Sequence, residues 1–355
     1  MVSGWAEHPG GRHHGAHGGP VSRALGLGSE GLLDYSQNIN PLGTPPAALE
    51  AARLALYEKS GRYPDLEYTE LREALAAYLG TSPEKVVPTN GGAEALFLAA
   101  RAAGPGRALV LEPTFSEYAA AAGAAGLGVV RRVVRRVEDG FRLDLGALED
   151  LDGISLVFLC NPNNPTGDCL DRRAVLEVAR RVREGGATLV VDEAFADFAP
   201  GISVAAEAAE GLSVARSFTK FFAIPGLRLG SLVCDDAARV QALQPSWPVN
   251  AVAAAAGISA ARDGAFARTS VRVVGRLREE LFGWLRALPG IEPFPGAANF
   301  LLARGPEGLP ERLARRGVLV RGCDPFMGLG PGYFRVAVRT EAENRRLVAK
   351  IREEL

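Results

Sequence analysis

Lysine is nearly missing from this chain. Its 40 basic residues include only Lys59, Lys85, Lys220 and Lys350, and the others are arginine. Cysteine is as scarce: Cys160, Cys169, Cys234 and Cys323 are scattered with no CxxC pair. That argues against a zinc site or a disulfide framework and fits a reducing cytoplasm. An excess of one charge is also lacking. Forty basic residues against 41 acidic ones leave a net charge of −1, which gives no support for nucleic acid or an anionic membrane as a partner. No apolar run reaches membrane-spanning length; the nearest, Ala251–Ala261, is mostly alanine and reads as a packed helix. The start of the chain lacks the charged-then-apolar pattern of a secretion signal. All four histidines, His8, His13, His14 and His17, stand near the start among glycines. A metal-binding tract is one reading, and a mobile tail is the one that the composition favours.

What is present is an ordinary globular composition over 355 residues, 47% hydrophobic and 23% charged, with length for two domains. From Arg107 to Val233 apolar runs alternate with helical stretches. Ala108–Leu111, Val129–Val134, Leu156–Cys160, Thr188–Val191, Val214–Arg216 and Gly230–Cys234 read as strands. Glu94–Ala103, Ser116–Ala125 and Arg172–Arg183 read as helices. Such alternation predicts an α/β unit with a parallel or mixed sheet covered on both faces. A helical region from about Asn250 to Leu288 follows. Asn299–Ala303, Val318–Arg321 and Tyr333–Val338 then suit a smaller α+β domain.

In an open α/β sheet, ligands bind outside the carboxyl ends of the strands. The unusual polar segments fall there: Gly91-Gly92-Ala93-Glu94, the run Asn161 to Gly167, Asp192-Glu193 and Ser217-Phe218-Thr219-Lys220. Lys220 is flanked by aromatics. It is either a snorkelling cation or an amine whose pKa is lowered for attack on a carbonyl, a task that arginine cannot perform. Asp192 closes an apolar strand and caps a loop or holds a buried cation. Asn164 lies in a turn-rich run and is either plain turn or a donor to a ligand oxygen. Gly92 and Ala93 open a helix whose free N–H groups suit a phosphate, though a glycine pair is often only a turn. Ser217, Thr219 and Arg228 add hydroxyls and a fixed cation at spacings that can converge on that phosphate. Phe115, just past a strand end, is core or a stacking face.

Taken together, Asn163-Asn164-Pro165-Thr166-Gly167, Asp192-Glu193-Ala194, Ser217-x-Thr219-Lys220 and Gly226-Leu227-Arg228-Leu229-Gly230 resemble the fold-type-I pyridoxal-phosphate enzymes. The likeness is greatest to the histidinol-phosphate aminotransferase group. Further markers resemble its L-threonine-O-3-phosphate decarboxylase branch, which serves cobalamin biosynthesis: His17-Gly18-Gly19, Asn38 to Gly43, Arg62-Tyr63-Pro64-Asp65, Lys220 to Arg228, Trp247 to Ala251, and Phe334 to Arg339.

The resemblance implies a large domain with a mostly parallel seven-stranded sheet between helices, plus a smaller α+β domain. Residues 1–45 would form an arm that contributes to the small domain and the site. Residues 46–248 would form the large cofactor-binding domain, and 249–355 a connecting helix and the small domain. It implies pyridoxal 5′-phosphate as cofactor, with Lys220 as the Schiff-base lysine, Asp192 on the pyridine nitrogen and Asn164 on the ring oxygen. Gly92, Ala93, Ser217, Thr219 and Arg228 would hold the cofactor phosphate, with Phe115 against the ring. Tyr63 would reach a neighbour's cofactor across a homodimer. Arg335 would grip a substrate carboxylate and Arg321 a substrate phosphate, with His17 and Asn40 lining the same pocket.

Two departures from the group stand out. Many transaminases of this fold carry tyrosine three residues after the aspartate, whereas this chain has Phe195, so Asn164 would serve the ring oxygen alone. The Gly91–Glu94 loop lacks the side-chain hydroxyl or acid often found there. The implied reaction is decarboxylation of L-threonine O-3-phosphate. The alternatives are transamination of histidinol-phosphate type and decarboxylation of L-serine O-phosphate, which differs by one methyl, worth only about 1–3 kcal/mol of discrimination. A non-catalytic cofactor-binding regulator is the reading from another class, and the chain lacks the basic helix-turn-helix segment that such a protein would need.

Overall fold

The computed structural model describes residues 32–355. The histidine tract and the expectation for His17 lie outside the described residues. Among the described residues the strands are, in chain order, β1 Leu33–Asp34, β2 Val86–Thr89, β3 Arg107–Glu112, β4 Gly128–Val133, β5 Ile154–Cys160, β6 Thr188–Asp192, β7 Leu212–Ser217, β8 Gly230–Val233, β9 Glu292–Pro293, β10 Phe300–Arg304, β11 Val318–Leu319, β12 Arg321–Gly322 and β13 Tyr333–Ala337.

Seven of these make one sheet in the order β2-β8-β7-β6-β5-β3-β4. Pairs from β7 through to β4 are parallel, and β8 runs antiparallel to both β2 and β7. The mostly parallel seven-stranded sheet expected from the sequence is thus observed. Both faces are covered, which is why β5 and β6 read as unbroken apolar runs. Helices Gly92–Ala102 and Glu117–Ala124 cover one face through Leu96, Ala99 and Tyr118, against Phe158, Val190 and Leu232. Helix Arg172–Glu184 covers the other. Its Val175, Val178 and Val182 pack on Leu159, Leu189 and Val191, each buried side chain contributing about 1.5–3 kcal/mol. Asp171 starts that helix by accepting a hydrogen bond from the Ala174 N–H at 2.8 Å.

The C-terminal part forms a four-stranded antiparallel sheet, β12-β13-β10-β9. Helices Gly264–Arg286, Leu309–Arg315 and Glu341–Glu353 bury Leu277, Leu281, Leu313, Leu347 and Ile351 in the core shared with Leu301 and Val336 of this sheet.

Two local expectations are refined. The helical region after Asn250 is two helices, Ala251–Arg262 and Gly264–Arg286, because Asp263 leaves helical geometry and its carboxylate caps the Phe266 N–H at 2.9 Å. The run Val318–Arg321 is not one strand. It splits between β11, which pairs in parallel with β1, and β12, which joins β13. Strand β2 and the helices Pro46–Lys59 and Thr69–Leu79 carried no clear reading in the sequence.

Candidate active site

The carboxyl ends of the parallel strands converge on one cavity of about 510 Å³. Phe115 follows β3, Asn164 follows β5, Asp192 is the last residue of β6, and Lys220 sits in the single helical turn Phe218–Phe221 after β7. Gly92 and Ala93 follow β2, and Arg228 precedes β8. The far wall is built from Ser36, Asn38, Arg321, Phe326 and Arg335.

Three glycines let the backbone close in around one corner. Gly91 adopts φ +83°, and a Cβ there would lie 2.6 Å from Arg228 Nη2. A Cβ on Gly92 would come 2.9 Å from Ser217 Cβ, and one on Gly230 would meet the Gly91 carbonyl carbon at 2.5 Å. The N-terminus of helix Gly92–Ala102 therefore lies against Ser217 and Arg228, with the first-turn N–H groups free of intrahelical partners. Ser217 Oγ and Thr219 Oγ1 share a hydrogen bond of 2.8 Å at the same corner. Arg228 holds a left-handed φ of 64°, a conformation that non-glycine residues adopt at a cost.

Asp192 is buried, accepting hydrogen bonds from Tyr118 Oη at 2.8 Å and from the Ala194 N–H at 3.0 Å. Burial pushes its carboxyl up to about 6, against the pull of those two donors. Lys220 moves the opposite way. Burial first, then Arg335 and Arg228, bring its ammonium from 10.5 down to about 8, with Asp192 opposing. At pH 7 roughly a tenth of the amine is then neutral, the form that a nucleophilic lysine uses. Asn164 Oδ1 accepts from Arg335 Nη1, and Arg335 Nη2 donates to the Ser36 carbonyl at 2.9 Å.

Arg321 and Arg335 stand directly opposite each other across β12 and β13, and both face the cavity. Burial lowers both, Arg335 to about 10. Two like charges at facing positions oppose folding, and an anion between them relieves that cost. Aromatic faces support both guanidiniums: Phe300 lies 5.2 Å from Arg335, and Phe326 lies 5.8 Å from Arg321. Phe195 meets Phe300 edge-on at 5.0 Å and lines the cavity without a hydroxyl.

Of the residues singled out in the sequence, Gly92, Ala93, Phe115, Asn164, Asp192, Ser217, Thr219, Lys220, Arg228, Arg321 and Arg335 meet at this cavity. Asn40 does not line it. Its amide is spent on Phe221 O at 2.8 Å, Ser270 Oγ at 2.9 Å and the Leu42 N–H at 3.1 Å, so it braces the Lys220 turn from behind. Asn38, two residues earlier, faces the cavity instead, and its buried Oδ1 lacks a hydrogen-bond partner among the described residues. Tyr63 is also away from the cavity. It is 79% exposed and stacks on Trp247 at 4.3 Å. Sequence reasoning missed Asn38, Tyr118 and the cavity-lining Glu117; only the helix that bears Glu117 and Tyr118 was signalled.

A family model described as aminotransferase class I and II matches residues 30–351. The chain belongs to that family. Threonine-phosphate decarboxylase of Salmonella typhimurium is 38% identical over 353 residues, 96% of each chain. Histidinol-phosphate aminotransferase of Methanothermobacter thermautotrophicus is 32% identical, over 94% of this chain and 91% of its own. Among solved structures, the histidinol-phosphate aminotransferase of Clostridium acetobutylicum superposes with a TM-score of 0.84 at 28% identity, over 91% of this chain and 99% of the other. The site suits the cofactor expected of an aminotransferase-family fold of this kind. A lowered amine, a buried carboxylate and a glycine-lined helix start that a Cβ would fill are the groups that pyridoxal phosphate requires. No cluster able to hold a metal occurs among the described residues, and no helix there is long and apolar enough to cross a membrane.

Proposed function

We propose that this protein decarboxylates L-threonine O-3-phosphate, releasing CO2 and (R)-1-amino-2-propanol O-2-phosphate. At the coarser level it is a pyridoxal-phosphate-dependent enzyme acting on a phosphorylated amino compound. The observation that carries the reading is the facing pair Arg321 and Arg335, two buried cations that suit a small substrate with a phosphate and a carboxylate. The 38% identity to a threonine-phosphate decarboxylase supports the narrower choice.

When bound, pyridoxal phosphate supplies an electron sink for the bond broken at the substrate α-carbon. In this reading the residues divide the work. Asp192 would hold the proton on the pyridine nitrogen, and Asn164 would donate to the ring oxygen, its amide oriented by Arg335. The first-turn N–H groups of Gly92 and Ala93, with Ser217, Thr219 and Arg228, would hold the cofactor phosphate, and Phe115 would lie beside the ring. Arg321 takes the substrate phosphate, Arg335 the carboxylate, and Asn38 offers its free amide oxygen beside them. Lys220 returns a proton to the α-carbon once CO2 has left. His17 remains an expected contact of the same pocket.

A second copy of the chain completes the site in this reading. Leu49, Leu56, Tyr57, Tyr63 and Leu66 leave an exposed apolar stretch, and Tyr63 would reach the neighbour's cofactor phosphate. Mixing Tyr63→Phe subunits with Lys220→Ala subunits should restore one working site per mixed dimer.

The deciding experiment supplies threonine phosphate, serine phosphate, and histidinol phosphate with 2-oxoglutarate side by side, with CO2 and product identified. CO2 from threonine phosphate supports the proposal. Amino-group transfer without CO2 would replace it with the aminotransferase reading that the 32% relative favours, and preference for serine phosphate would move the substrate by one methyl.

A further inference from the structure

Behind the cavity, on the opposite face of the sheet, lies a buried ionic cluster that the proposed chemistry does not use. Arg216, 2% exposed, donates through Nη1 to Glu193 Oε2 at 2.7 Å and through Nη2 to Asp197 Oδ1 at 2.5 Å. Glu193 also accepts from Ser203 Oγ at 2.6 Å and from the Val204 N–H at 2.7 Å. Asp197 Oδ1 accepts from Tyr78 Oη at 2.8 Å. Each strand-end member of the cluster is the chain neighbour of a cavity residue. Glu193 follows Asp192, and Arg216 precedes Ser217. Side chains alternate along a strand, so one residue of each pair faces the cavity and the next faces the cluster. The ring of Tyr78 meets Phe218 at 6.1 Å and Phe222 at 5.6 Å, the aromatics on either side of Lys220.

We propose that Arg216 is a positioning residue for the cofactor site: it bridges Glu193 and Asp197 behind the sheet, locks the ends of β6 and β7 together, and offsets the Glu193 carboxylate that stands behind Asp192. The inference rests on the cofactor reading given above.

Stability alone is a poor reason for this cluster. One guanidinium between two carboxylates leaves a buried negative charge, and apolar residues of similar size would be as stable or more so. Asp197 Oδ2 and Arg216 Nε even lack partners. What the cluster supplies is a fixed register of two strand ends and a fixed field. Asp192 is faced by Tyr118 from helix Glu117–Ala124, by Cys160 from β5 and by Lys220 from the turn after β7, with Glu193 and Arg216 behind it. Glu193 pushes the Asp192 carboxyl up and Arg216 pulls it down. Without Arg216, the uncompensated Glu193 carboxylate would favour protonated Asp192.

The test uses Arg216→Met, Arg216→Lys and Glu193→Gln in the full chain. In cofactor-free protein, infrared titration of the Asp192 carboxyl, assigned by difference against Asp192→Asn, gives its midpoint. Titration with pyridoxal phosphate gives the dissociation constant of the cofactor. Arg216→Met should raise the Asp192 midpoint by about half a pH unit or more and weaken cofactor binding roughly tenfold, with Arg216→Lys in between. Glu193→Gln, which removes the carboxylate behind Asp192, should move the midpoint downward. A folded Arg216→Met with both values unchanged overturns the proposal. If Arg216→Met does not fold, an unchanged Asp192 midpoint in Glu193→Gln overturns it. A wild-type protein that takes up no pyridoxal phosphate would instead refute the cofactor reading, and the Asp192 midpoints would still judge Arg216.

Discussion

Lys220 should weaken the cofactor-free fold, and the size of the effect follows from its surroundings. Its ammonium falls from 10.5 to about 8 in the fold. At about 1.4 kcal/mol per pH unit, the charged form is about 3 kcal/mol less favourable there than in the unfolded chain. Between pH 8 and pH 10.5 the unfolded chain binds more protons than the fold, so this penalty shrinks as pH rises through that window. It is full below pH 8 and gone above pH 10.5. Lys220→Met keeps the length of the side chain and removes the charge. Urea unfolding of the cofactor-free proteins at pH 7 should find the variant more stable by about 3 kcal/mol, a large part of the roughly 5–15 kcal/mol typical of a domain. Near pH 10.5 the two proteins should agree. A variant no more stable at pH 7, or a gain that persists unchanged at pH 10.5, would refute the claim that the fold holds this amine under strain for use as a nucleophile.

Tyr118→Phe removes a donor from Asp192, so the carboxyl should rise beyond about 6. Cofactor titrations should then show roughly tenfold weaker binding at neutral pH, the loss of about one charge-assisted hydrogen bond, with the acid limit of binding moved upward. Arg321→Gln should raise KM for the phosphorylated substrate roughly thirtyfold, about 2 kcal/mol, with little change for a phosphate-free analogue in steady-state assays. Gly230→Ala puts a methyl 2.5 Å from the Gly91 carbonyl carbon and 2.7 Å from Arg216 O. Thermal unfolding should report a loss of about 1–3 kcal/mol, together with poorer retention of the cofactor.

Lys220, Asp192 and Asn164 were legible in the sequence because each closes a strand or opens the loop after it, and a strand end in an α/β sheet is a defined place. Six of the seven strands of the sheet were legible as apolar runs, and β2 was not. Tyr118 was not, since its hydroxyl meets Asp192 only once β3, β5 and β6 are aligned and its helix is laid across them. Arg216 read simply as part of a strand, because nothing local says that two carboxylates wait on the far face. Asn38 and Asn40 share one short polar run, and which of them faces the cavity depends on the turn that Asn40 makes by capping the Leu42 N–H. The split after Leu319 is a decision of tertiary pairing within a locally continuous pattern, whereas the break at Asp263 is local, an aspartate that caps the next helix.

The parallel pairing of β1 with β11 joins Leu33 to Val318, and the Arg335 guanidinium closes onto the Ser36 carbonyl. The wall that faces the cofactor groups is thus made from the two extremes of the described chain. Contacts so distant in sequence form late, after the loop between them has been ordered. On the ribosome, the sheet from β2 to β8 can be complete while this wall still awaits residues not yet synthesised. The nascent chain therefore acquires its strand-end lysine and aspartate well before it acquires the arginines that receive a substrate, and a chain cut short before β11 would keep the first set and lack the second.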